Sequence, residues 1–76
     1  MNKARRKELE KAKDLLEQAQ SIIEAVQEEE QEAFDNMPEG LQSSERGEQM
    51  ETAIDALEEA LDNLNEAVDN IDTAAE

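Results

Sequence analysis

Apolar residues recur in alternating steps of three and four on both sides of one short interruption, and that rhythm restricts the chain to paired helices. From the N-terminal side the positions are Leu9, Ala12, Leu16, Ala19, Ile23, Val26, Ala33 and Met37. These are the a and d sites of one heptad frame, broken only by Glu30 at an a site. Leu15 and Ile22 widen the stripe beyond a two-stranded seam, as a helix in a bundle requires. In the second half Ala53-Ile54-Asp55-Ala56-Leu57, Ala60-Leu61-Asp62-Asn63-Leu64 and Ala67-Val68-Asp69-Asn70-Ile71 repeat one pattern every seven residues. Abundant Ala, Leu, Glu and Gln favour helix throughout.

The interruption runs from Asp35 to Ser44 and is the only stretch that holds both a Pro and a Gly. Pro38 pushes Met37 away from helical geometry, so the first helix is expected to end near Asn36. Ser43 or Ser44 is suited to cap the second helix, with Glu45 and Glu48 near its positive end. Gly47 reads as a weak point early in that helix. The expectation is a single domain over residues 1–76. It holds a helix over about 3–36, a loop over about 37–43 and a second helix over about 44–75.

So short a loop makes the helices antiparallel neighbours. One register pairs Leu9 with Ile71, Leu16 with Leu64 and Ile23 with Leu57, and also Ala12 with Val68, Ala19 with Leu61 and Val26 with Ile54. In each of these pairs the residue numbers add to 80. The same register brings Lys11 near Asp69 and Lys7 near Asp72, as a clasp across the open end. Two helices cannot cover stripes this wide. Leu15, Ile22, Ile54, Leu61 and Val68 are expected to form an apolar face for a second copy, giving an all-α helical hairpin that dimerises into a four-helix bundle.

Charge is the second constraint. The chain carries 22 acidic and 7 basic residues, a net charge of -15. Six of the bases lie in the first 13 positions, which sum to +4, while residues 14–76 sum to -19. Such a body repels phosphate, so direct nucleic-acid binding by Arg5, Arg6 and Lys7 is not expected. No apolar run is long enough to cross a bilayer and no signal peptide is evident, so a cytoplasmic location without membrane contact is expected.

The composition also argues against chemistry. With no His and no Cys, the commonest metal ligands and general bases are missing. The carboxylates occupy solvent-facing heptad positions rather than contrasting environments, so neither an enzyme nor a cofactor or metal site is expected. What remains is recognition. Asp55, Asp62 and Asp69 form a ridge with steps of about 10.5 Å, and Glu28, Glu29 and Glu32 form a second cluster beside the loop. Such ridges imitate a nucleic-acid backbone and suit a basic protein partner.

The segment Phe34 to Ala60, FDNMPEGLQSSERGEQMETAIDALEEA, resembles small acidic helical proteins of bacteriophages and mobile elements. The resemblance covers the central third of the chain and is strongest in the loop, around Met37, Pro38, Gly40 and Leu41. It implies a protein that binds and blocks a bacterial host factor in the host cytoplasm, and it carries over no functional residue. The leading expectation is therefore a noncatalytic protein-binding module, either an inhibitor or a nucleic-acid mimic. A structural coiled-coil module for assembly and a small-ligand sponge are the alternatives.

Overall fold

In the computed structural model, which describes all 76 residues, the chain is an all-α hairpin. The long helix α1 spans Lys3–Asp35, the single turn α2 spans Glu39–Gln42, and the long helix α3 spans Glu45–Ala74. α1 and α3 pack side by side to form a rod of 58 × 15 × 13 Å.

Each boundary has a local cause. Asn2 starts α1 by accepting the Arg5 backbone N–H on its side-chain oxygen at 2.8 Å. Asn36 closes α1 one residue before Met37, a position at which Pro38 disfavours helical backbone. The expected loop over 37–43 is not irregular throughout, because Glu39–Gln42 completes a helical turn with Leu41 N–H donating to the Pro38 carbonyl at 2.8 Å. Pro38 lacks an N–H, which suits it to the entrance of a helix. Ser44 then caps α3, accepting from the Gly47 N–H at 3.3 Å, and its hydroxyl donates to the Leu41 carbonyl.

Two contacts fold this turn against the long helices. Gln42 Nε2 donates to the Phe34 and Met37 carbonyls at 3.0 and 3.3 Å and so ties the turn to the end of α1, where the Phe34 carbonyl also accepts the Met37 N–H at 3.1 Å. Gly47 is buried against the same segment. A Cβ there would lie 2.1 Å from the Gln42 carbonyl oxygen and 2.8 Å from that of Leu41. Gly47 is therefore not a weak point, as its sequence context suggested. It is the opening through which α2 approaches α3, and no residue in the hairpin needs a positive φ.

Polar groups lock the helices in register along one edge. Lys13 Nζ lies 2.9 Å from Asp72 Oδ1, Gln20 Nε2 donates to Asn65 Oδ1 at 2.7 Å, and Gln27 Nε2 donates to Glu58 Oε2 at 2.8 Å. The three rungs are spaced by seven residues on each helix and fall at e positions, one flank of the apolar seam. They are the flanking pairs of the alignment that sets Leu9 opposite Ile71, and these two residues border one groove at the open end. The expected clasp pairs differ in detail. Lys11 turns to Glu8 on its own helix at 3.0 Å, Lys7 makes no ion pair, and Arg6 instead donates to the Glu76 backbone oxygen at 3.2 Å.

The opposite flank is open. Leu15 and Ile22 are each 65% exposed and Val26 is 46% exposed. One member of the expected apolar face is corrected: Leu61 is the one buried hydrophobic residue, enclosed by the hairpin itself, whereas Ile54 and Val68 are half-buried. Small Ala19 faces Leu61 in the shared register and leaves it room. The unpartnered strip therefore belongs to α1. The chain exposes 5700 Å², about 1,000 Å² more than a folded monomer of its mass ordinarily does.

Candidate functional site at the acidic turn end

Hairpin geometry redistributes the charge that the sequence spreads along its length. Folding lays the basic residues 1–13 beside Glu66, Asp69, Asp72 and Glu76, and these four acids cancel the net +4 of that segment. Residues 14–65 retain sixteen acids against Arg46 alone. The rod is thus neutral at its open end and carries the full -15 toward its turn. Of the 22 acidic side chains, only Glu8 and Asp72 pair with a base, both outside the acidic part.

Within that part, α1 and α3 form an open groove of about 500 Å³. Glu28, Glu32 and Asp35 line it from α1, Asp55 and Glu58 from α3, and Gln27, Gln31 and Ile54 complete the walls. Two amides hold the groove's shape. Gln27 reaches both Glu58 and the Ile54 carbonyl, the latter at 3.3 Å, and Gln31 Nε2 donates to Asp35 Oδ1 at 3.0 Å. Five carboxylates thus share one concave face. No three of them converge closely enough to hold a metal ion, so their common property is negative potential over an extended surface.

The structure unites part of the expected set. Glu28, Glu32 and Asp55 come together in the groove although they are distant in sequence. Asp62 and Asp69 are exposed farther along α3, toward the neutral end. Glu29 follows Ile22 by one heptad and lies at the edge of the apolar strip instead. Asp35 carries no signal in the sequence, and Glu58 stands out there only as an acid flanking the ridge of Asp55, Asp62 and Asp69. The signal for Glu58 was its place one step beyond Leu57, on the flank that faces Gln27.

A second groove of about 470 Å³ lies at the turn, where Met37, Pro38 and Leu41 meet Met50, Ala33 and Arg46. Three of the four expected loop residues therefore share one surface, while Gly40 projects into open space. Leu41 is 52% exposed, and Arg46 supplies the only positive charge near the acidic groove's end of the rod.

At the open end, one basic group has a shifted titration. A hydrogen bond from Lys13 to Asp72, together with the charge of that carboxylate, raises the lysine above its ordinary 10.5, and Glu17 and Asp14 add smaller pulls in the same direction. No helix is long and apolar enough to cross a membrane. The fold and surface define an acidic antiparallel helical hairpin. No protein-family profile matches the chain, and no curated protein or solved structure matches it.

Proposed function

We propose that the chain is a noncatalytic protein-binding module that presents its acidic turn end to a basic partner and occupies the surface where that partner holds nucleic acid. The charge geometry carries this reading. Averaged over the 58 Å rod, the net charge of -15 is one charge per about 3.9 Å, and denser toward the turn that carries it, against about 3.4 Å along one DNA strand. Two copies side by side bring the spacing to about 1.9 Å, against about 1.7 Å for duplex DNA. A homodimeric four-helix bundle thus belongs to the same reading. The surplus of about 1,000 Å² of exposed surface is comparable to the roughly 800 Å² that each partner contributes to a standard interface.

The likeness of residues 34–60 to small acidic proteins of phages and mobile elements supports a bacterial host factor as the target, met in the host cytoplasm. Affinity capture from bacterial lysate tests the idea. The chain should retain a basic nucleic-acid-binding protein that is eluted by salt and displaced by added DNA. The combined variant Glu28→Lys, Glu32→Lys and Asp55→Lys should lose it. Capture of no basic protein, or equal capture by the charge-reversed variant, would sink the reading.

The exposed strip of Leu15, Ile22 and Val26 favours one competing role, a structural module that joins a different coiled-coil chain. Light scattering separates the two. A stable closed dimer of the isolated chain supports the first role, and a monomer that gains helix only with another chain supports the second.

A further inference from the structure

The surplus strip on α1 and two basic residues near its N-terminus, Arg5 and Lys11, lie on the same side of that helix. We propose that a second copy of this chain covers that surface in antiparallel orientation, α1 on α1, with the two turns at opposite ends of the dimer. This rests on the homodimer in the reading above and specifies its geometry and its ionic contacts.

Position gives the first argument. Leu15 and Ile22, each 65% exposed, are centred between residues 18 and 19, and the midpoint of α1, which spans Lys3–Asp35, is residue 19. A two-fold axis through that point sets Leu15 against the partner's Ile22 and overlaps the rods along their whole length. Alanines recur every seven residues on the same edge of α3, at 53, 60 and 67, and leave space for the partner to approach.

Charge gives the second. Arg5 makes no ion pair within one chain, and Lys11 pairs only with exposed Glu8 on its own helix, whereas Lys3 and Lys7 lie with Arg6 and Glu10 on the other flank. The same axis sets the partner's Glu29, one heptad beyond Ile22 on the strip, level with residue 8, within one turn of both Arg5 and Lys11. The opposite arrangement, with both turns together, stacks one -15 end on another, within a Debye length of about 8 Å. Antiparallel packing lays each acidic end over the neutral end of the other copy.

A spin label tests the orientation directly. The chain has no cysteine, and nothing lies within 4 Å of a Cβ built at Gly40, so Gly40→Cys accepts a single label at the turn. Electron double resonance on the dimer should give a label separation near the 58 Å length of the rod. A separation under about 20 Å, two helix diameters, would mean that the turns lie together and would overturn the antiparallel dimer while leaving the dimer itself. A monomer by light scattering at every concentration would overturn both, and neither result bears on capture of a basic partner through the acidic groove. A charge swap provides a second readout. Arg5→Glu with Lys11→Glu should weaken dimerisation about fivefold to tenfold, and adding Glu29→Lys should restore it in part. Unchanged dimerisation in the first variant, or no recovery in the second, would overturn the ionic pairing.

Discussion

The Gln42 carbonyl oxygen occupies space that the Cβ of any larger residue at Gly47 would need, with only 2.1 Å between the two positions. Helix propensity alone favours Gly47→Ala by about 1 kcal/mol. The clash with backbone reverses that sign, because the whole α2 turn must move away from α3. We expect Gly47→Ala to lower stability by about 1–3 kcal/mol in urea denaturation. Gly40→Ala is the matched control, since its Cβ meets nothing within 4 Å, and should be neutral or stabilising.

Leu61 and Leu15 have the same side chain and opposite environments, 8% and 65% exposed. Leu61→Ala should cost the hairpin about 2–4 kcal/mol, as loss of a buried leucine does. Leu15→Ala should leave the fold of a single chain nearly unchanged and weaken self-association instead. Thermal melts at several protein concentrations separate the two effects, because only a loss of association changes the concentration dependence.

The raised titration of Lys13 gives a stability dependence on the alkaline side. A lysine bound more tightly to its proton in the folded chain contributes stability that is complete below 10.5 and is lost as pH rises through its higher folded value. The parent chain and Lys13→Met should therefore differ in melting temperature at neutral pH and converge above the lysine range. A difference that grew with pH would contradict the Lys13–Asp72 contact as its source.

Self-repulsion at the turn end predicts a salt effect. Raising ionic strength from about 0.01 M to about 0.15 M shortens the Debye length from about 30 Å to about 8 Å. The melting temperature should rise across that range. Glu28→Gln combined with Asp55→Asn should raise it at low salt and change it less at high salt. A chain stabilised mainly by surface ion pairs would melt at lower temperature as salt is added.

The heptad pattern made the hairpin and its register legible, because seven-residue spacing leaves few ways to align Leu9, Leu16 and Ile23 with Ile71, Leu64 and Leu57. The same pattern left the two flanks of the seam undistinguished. Leu61 and Leu15 look alike in a stripe, and only the rotation of each helix about its axis decides that one is enclosed and the other exposed. The ladder through Gln20 and Gln27 was hidden for a related reason. Neutral amides draw no notice among so many acids, although their e positions were already implied. The acidic groove needed both helices at once, since Glu32 and Asp55 are separated in sequence by the entire turn. Gly47 looks like a weak point in the sequence because its reason lies in a neighbouring carbonyl and not in its own backbone angles.

A rod charged at one end behaves in a field as a weathervane does in wind. A basic partner of the kind proposed above would pull on the turn end and leave the neutral end free to swing, so a single chain would rotate while still separated from it. Orientation is then settled before any side chain touches, and fewer encounters are wasted on the wrong end. In the proposed antiparallel pair the two charge asymmetries cancel, and because each extremity carries a turn, no rotation is needed for either end to present one.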